Sequence, residues 1–264
     1  MPPRCLRAIS CLLVLTSFAP FASPYSYTPP PEPGFTVLTR LNDFMIVDKS
    51  SGLLTVPGKQ DDMSDCLLSR VQAEYGGEWR NVHRLDRDTS GCVAFARNKM
   101  IGEASRTFMR KSESVNESVK GGEISVTGSD GGDVEKRYVA KVHGIVEKDS
   151  GRISIPIGKE KVTDDGNSFN RWALGDHTEK ARVAITDYSV IERLEDATLL
   201  HCVPLTGRGH QLRLHLGFLG HPIIGDGLHG LEGDEAERLM LHAELLVMRV
   251  GGGLVRGECA APFV

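Results

Sequence analysis

The feature that most constrains the fold is a succession of short β-rich apolar runs separated by Gly, Asp and Asn turns. Tyr138 to Val146, Ile153 to Ile157, Ala181 to Val190 and Ala197 to Val203 each have strand length, and together they imply a sheet that leans antiparallel. Upstream, Phe35 to Leu38 and Phe44 to Val47 are bounded by Asn42-Asp43 and Ser50-Ser51-Gly52, the pattern of strands joined by turns, and Leu53 to Val56 continues it. Gly91 to Ala96 adds a further strand.

Helical periodicity is confined to three stretches. Residues 64–75 place Leu67, Leu68, Val71 and Tyr75 at helical spacing, with Ser64 or Asp65 as cap and Gly76-Gly77 as stop. Residues 100–110 carry Ile101, Ala104, Phe108 and Met109 on one side. From Leu212 to Leu219 the apolar residues fit both periods, and length together with Gly220 favours a helix. Between Lys111 and Val134, Ser, Gly, Glu and Asp replace large apolar residues. Ordering that stretch would cost chain entropy with little burial in return, which predicts a disordered surface insertion at about 111–134. Lys161 to Asp176 is expected to be a second long turn.

Composition excludes several classes. With 264 residues, 40% hydrophobic and 25% charged, the chain has material for a sizeable core, which rules out a disulfide miniprotein or a disordered chain. Lys plus Arg number 31 against 35 for Asp plus Glu, a formal charge of −4, so any nucleic-acid contact must use a local basic surface. An apolar run from Ile9 to Ala22 follows Arg4 and Arg7. It is shorter than the ~20 residues a spanning helix needs and is broken by Ser17 and Pro20, so residues 1–34 read as a cleaved targeting leader. Thr16-Ser17-Phe18-Ala19-Pro20 resembles the Phe-centred motif of plastid leaders in algae with secondary plastids, which implies an organellar, plastid destination ahead of a mitochondrial one. Of six cysteines, two fall in that leader. Cys66, Cys92, Cys202 and Cys259 stand singly and are expected as free thiols.

Two polar clusters carry the candidate chemistry. Residues 83–91, HRLDRDTSG, are too polar for a core segment; residues 206–215, TGRGHQLRLH, set Arg208 and Arg213 among Gly and Leu, which suits a phosphate or a buried carboxylate. Taken singly, each also fits a solvated polar turn or a half-exposed basic helix. His83, His210, His215 and His242 lack any metal-ligand spacing, so no metal is predicted and structural hydrogen bonding is expected of all four.

Together the clusters resemble the RNA pseudouridine synthases of the RluA type. HRLDRDTSG is similar to that family's signature, GDVEKRYVAKVHG (132–144) to its KRY strand, TGRGHQLRLHLGFLGHPIIGD (206–226) to its third motif and RLMLHAELL (238–246) to its His-Ala element. Four ordered motifs are far more specific than any one. The chain departs from the pattern at Ser50 after Lys49, where Pro is usual, and at Gly209, where Thr is usual. Gly227 and His229 stand at common Pro and Tyr positions.

The resemblance implies an α+β fold: a mixed, mainly antiparallel sheet with flanking helices and a central cleft. It implies isomerisation of specific uridines in tRNA or rRNA, with no cofactor and RNA as the partner; separately, no membrane association is expected after leader removal, and a monomer is expected. Asp86 takes the catalytic position, Arg213 its guanidinium partner, and Tyr138 the stacking position with a hand in proton transfer. Asp86 needs to be ionised, as nucleophile or as base toward the ribose. Arg84 corresponds to the residue that fills the place of the flipped base, and Arg208, His210 and Gln211 join it as RNA contacts. Asp88 is the rival carboxylate, and Asp226, in the family's GD pair, is expected as a turn former. The alternatives are a non-catalytic RNA-binding or ribosome-assembly factor, and a secreted hydrolase with paired carboxylates.

Overall fold

The computed structural model describes residues 27–120, 133–164 and 167–264. Its strands are β1 (Phe35–Arg40), β2 (Phe44–Lys49), β3 (Arg80–Asn81), β4 (Ser90–Ala96), β5 (Val134–His143), β6 (Ser150–Ser154), β7 (Ile157–Asp164), β8 (Asn167–Leu174), β9 (Glu179–Arg182), β10 (Ile185–Arg193), β11 (Ala197–Pro204), β12 (Leu241–Val250) and β13 (Gly253–Glu258). Three α-helices accompany them: α1 (Leu67–Tyr75), α2 (Asn98–Lys120) and α3 (Gln211–Phe218). Ten strands form one sheet in the order β1-β2-β4-β12-β5-β11-β10-β6, with β3 beside β4 and β13 beside β12. Every pairing is antiparallel except β4 with β12, which run parallel at His242↔Ser90 and Ala243↔Gly91. The mixed, mainly antiparallel α+β class expected from the sequence is the one observed.

All seven residues of β4 are buried, because this strand lies inside the sheet and is covered on both faces. One face packs Val47, Leu67, Val71, Trp79 and Phe95 under α1; the other packs Ile46, Ala94, Ala104 and Met248 under α2. A third core, built on Ala140, Leu200, Leu212, Leu216 and Leu241, seats α3 against β5 and β11. Gly91 lets the parallel pair close up: at φ +109° a Cβ there would lie 2.3 Å from the Ala243 carbonyl oxygen. No described helix is long and apolar enough to cross a membrane.

The structure corrects several expectations. Residues 27–34 belong to the folded body, since the Tyr27 hydroxyl donates to the Asp65 carbonyl (2.9 Å) and Arg70 donates to the Pro30 and Pro31 carbonyls. The rest of the segment expected to be a leader, residues 1–26, lies outside the described residues. Helix α2 continues to Lys120, ten residues into the predicted insertion, because from Glu103 onward no Gly or Pro interrupts it and propagation of a nucleated helix costs little. Residues 121–132 are outside the described set. The predicted turn at 161–176 is instead the hairpin β7–β8, paired from Ile157↔Leu174 to Asp164↔Asn167. Asp-Gly at 165–166 is a hairpin signal that outweighs the polarity of the flanks. Leu53 to Val56 is a loop, its Leu53 carbonyl taken by a lysine. Cys66, one residue after the expected caps, forms a capping box with Ser69.

Candidate active site

The segment 83–90 is an irregular connection between β3 and β4, and its shape is imposed from beneath. Lys49, fully buried at the end of β2, donates from Nζ to the carbonyls of Ser50 (2.8 Å), Leu53 (2.7 Å) and Arg87 (2.8 Å). Burial pulls its ammonium down to about 7, against the charges of Asp88 and Asp86. Thr55 Oγ1 donates to the Leu85 carbonyl (2.8 Å) and accepts from the Leu85 N–H (3.2 Å), while the Ser51 hydroxyl donates to the Asp88 carbonyl (2.6 Å). Leu85 is thereby anchored in the core and Asp86 is turned into a cleft. Asp88 is bound by the Arg87 guanidinium (2.8 and 3.1 Å) and does not line the cleft, whereas Asp86 does. Lys49→Met is expected to destabilise the fold by about 3 kcal/mol, because three carbonyls lose a charged donor. A urea midpoint equal to that of the native chain would contradict this pinning.

Helix α3 supplies the charge opposite. Arg213 is 3% exposed, and its Nε and Nη2 donate to Asp226 Oδ2 (2.8 Å) and Oδ1 (2.5 Å), a forked pair. Nη1 points the other way and lies 4.0 Å from Asp86 Oδ2. The predicted Asp86–Arg213 approach is therefore present, with a further carboxylate behind it. Asp226 also accepts from the backbone N–H of Leu228 and His229 (3.0 Å each), so it is both the expected turn former and the brace of Arg213. Burial would raise the Asp226 carboxyl, but the Arg213 hydrogen bonds and charge outweigh it and hold the group below its ordinary value.

The cleft between these elements has a volume of ≈ 370 Å³ and is lined by both clusters, with Tyr138 and Lys136 from β5 and Trp172 from β8. Tyr138 bridges the cores beneath α1 and α3. Burial and then the Asp86 charge push its phenol well above the ordinary value, so it stays protonated. It can relay a proton only by passing on its own. Arg84 is exposed on the cleft wall. Arg208 also lines it, with Nε donating to the Val183 carbonyl (2.8 Å). His210 sits at φ +54° at the start of α3, its Nδ1 2.9 Å from Nε2 of His229.

Gln211 departs from its expected role. Its Oε1 accepts from Thr206 Oγ1 (2.7 Å) and the Arg208 N–H (3.0 Å), and its Nε2 donates to the Ile185 carbonyl (2.9 Å) and Thr186 Oγ1 (3.0 Å). All four bonding positions are used inside the fold, so its side chain shapes the 206–211 loop.

Trp172 is the cleft residue that sequence reasoning missed. It lies on a strand read as a turn, and its indole fills the space beside Gly209, where an added Cβ would sit 2.3 Å from Cε2. The departure from Thr at 209 was the available signal. Gly209→Thr is expected to drive Trp172 toward solvent, red-shifting tryptophan emission, because the other tryptophan, Trp79, is fully buried. Loss of an aromatic face worth ~1–3 kcal/mol per stacked base should weaken binding of a nucleic acid in this cleft about tenfold. Unchanged emission would contradict the complementarity.

His215 and His83 have the structural hydrogen-bonding roles expected of them. His215 Nδ1 lies 2.9 Å from Thr186 Oγ1, and His83 Nε2 accepts from the Ala94 N–H (3.1 Å). Burial, helped by nearby cations, lowers both His83 and His229 from 6.5 to about 3. The unfolded chain therefore binds more protons across that interval. Stability should be complete above pH 6.5 and fall as the pH drops toward 3. His83→Gln should flatten the fall in urea midpoints; an unaltered pH slope would count against it.

The cleft combines a basic wall, two aromatic faces and an acid facing a cation, a lining with the chemistry to hold a nucleobase and its phosphates. Fold and site thus define a nucleic-acid-modifying enzyme. Comparison with known proteins supplies the family: the model described as RNA pseudouridylate synthase matches residues 43–217. Over 227 residues the chain is 34% identical to Dual-specificity RNA pseudouridine synthase RluA of Pasteurella multocida, covering 85% of this chain and 91% of that one. To the protein of the same name from Escherichia coli (strain K12) it is 33% identical over 226 residues, covering 84% and 90%. The solved structure of Human RNA Pseudouridylate Synthase Domain Containing 1 superposes with a TM-score of 0.66 at 26% identity, covering 90% of this chain and 87% of that one. The chain belongs to the RNA pseudouridylate synthase family.

Proposed function

We propose that this RNA pseudouridine synthase isomerises particular uridines in folded tRNA or rRNA, with Asp86 as the catalytic carboxylate. The observation that carries the assignment is the line Asp86–Arg213–Asp226: a buried guanidinium, gripped from behind, presents its remaining nitrogen 4.0 Å from an acid on the cleft floor. A factor that only bound RNA would have no need of it. The reaction breaks the bond between C1′ and N1, turns the base and rejoins it through C5, so it needs positioning and proton transfer rather than oxidation.

In this reading Asp86 acts on the ribose or the base while Arg213 holds it in place. Tyr138 stacks on the extruded ring and relays the C5 proton. Arg84 enters the vacated stack, and Arg208 and His210 meet the flanking backbone. The curated relatives are described as dual-specificity; we extend to this chain a target in either tRNA or rRNA. We further place the protein in a plastid, on the strength of the leader and its Phe18-centred motif, and read it as a monomer. Incubating the purified chain with transcripts of organellar tRNA and rRNA, then mapping pseudouridine, tests the activity. New pseudouridine at defined positions is the expected result, and unmodified RNA at every position would overturn it. A fluorescent fusion carrying residues 1–34 tests the compartment, with cytosolic signal the contrary outcome.

A further inference from the structure

On the side of β4 away from the cleft, four ligand-bearing side chains from separate parts of the sheet converge. Asp48, next to last in β2, pairs in register with Cys92 on β4; His242 lies on β12; Cys259 follows β13. Cys92 Sγ is 3.6 Å from Cys259 Sγ, and Cys259 Sγ is 3.3 Å from His242 Nε2. The ligand atoms of Asp48, His242 and Cys259 lie within 4.8 Å of one another. Around a tetrahedral zinc, with bonds of roughly 2.0–2.3 Å, neighbouring ligand atoms stand about 3.3–3.8 Å apart, so the Cys259–Cys92 and Cys259–His242 spacings match edges of such a site, and Cys92, beside Cys259 but outside the group that Asp48, His242 and Cys259 form, would turn toward the ion to complete it. None of the four lines the catalytic cleft.

The surroundings fix the imidazole. His242 Nδ1 is 2.8 Å from Ser90 Oγ, which accepts from Arg238 Nη2 at 2.5 Å, so the ring is fixed with Nε2 toward Cys259. Hydrogen bonding at the far nitrogen is the support that metal-bound imidazoles generally have. His242 and Cys92 are each 1% exposed, whereas Cys259 and Asp48 are half-buried and give an ion a way in.

We propose that Asp48, Cys92, His242 and Cys259 bind a zinc-class divalent cation that clips β2, β4, β12 and the end of β13 together behind the catalytic loop. Two thiols, a neutral imidazole and a carboxylate are a borderline-soft donor set suited to zinc. On binding, Cys92 and Cys259 each release a proton to solvent. His242 moves its proton from Nε2, where it meets the Cys259 carbonyl at 3.1 Å, to Nδ1, where Ser90 accepts it. No electron changes hands, and two thiolates and one carboxylate against a dication leave the site at −1. Spacing along the chain hid the set, because each ligand comes from a different strand segment.

The test uses the full chain, reduced and stripped of metal, titrated with cobalt(II) and then zinc. Expected are one cobalt per chain with thiolate charge-transfer and tetrahedral d–d bands, bleaching on zinc addition, two protons released per zinc, and an unfolding midpoint that rises with zinc. Cys259→Ser and Cys92→Ala should each lose the charge-transfer intensity and the zinc-dependent rise, with basal folding preserved in at least one of them. Asp48→Asn should weaken uptake without abolishing the bands. Absence of stoichiometric uptake, thiolate bands that survive Cys259→Ser, or quantitative recovery of a Cys92–Cys259 disulfide with no cobalt spectrum after reduction would overturn the proposal.

Discussion

Asp86→Asn is expected to lower pseudouridine formation by on the order of 10³-fold or more, with unfolding free energy within about 1 kcal/mol of the native chain. The asymmetry follows from placement. The Asp86 side chain is 28% exposed and stands 4.0 Å from Arg213, so an amide of the same size can replace it without opening a cavity or stranding Arg213, which keeps Asp226. What is lost is the negative charge and the lone pair aimed into the cleft. Release of tritium from C5-labelled RNA, measured alongside a urea transition, separates the two effects. Turnover persisting within tenfold of native would remove Asp86 from the chemistry; collapse of the fold would show that its role is structural.

Asp226→Asn should do the reverse damage, destabilising the fold by about 3 kcal/mol and slowing turnover as well. Arg213 and Asp226 are 3% and 1% exposed, and removing one member of such a pair leaves a buried charge without its counterion. Asparagine also offers one acceptor where the native carboxylate receives two guanidinium nitrogens and two backbone N–H groups. The double replacement Arg213→Met with Asp226→Leu distinguishes stability from function. It should recover most of the lost stability, since apolar pairs of similar volume often substitute for buried ion pairs, yet remain without turnover. Equal urea midpoints for Asp226→Asn and the native chain would contradict the brace.

Much of this was legible in the sequence because its signals are local. Most of the β-rich runs, the helix ended by Gly76 and the stripe over Leu212 to Leu219 depend on neighbours along the chain and form close to where their patterns lie, although Ile153 to Ile157 and Ala181 to Val190 are each divided between two strands. Asp86, Tyr138 and Arg213 were reachable because four motifs occur in order. The pairing of Arg213 with Asp226 was not, since a Gly-Asp pair reads equally as a turn, and only three-dimensional closure shows a guanidinium behind it. Lys49 escaped for a similar reason: a lysine at a strand end is ordinarily solvated, and its burial depends on carbonyls contributed by Leu53 and Arg87. Trp172 was hidden by the polar flanks of its hairpin, and Gln211 was misassigned because its four partners lie in the loop and on β10, which no spacing predicts.

The most direct test of the central claim is the structure of the Asp86→Asn chain bound to a short RNA hairpin carrying the mapped uridine. One pyrimidine is expected to be flipped onto Tyr138, with its C1′ within about 3.5 Å of residue 86 and Arg213 still forked onto Asp226. A uridine left stacked in its helix, or seated with its ribose remote from residue 86, would contradict it.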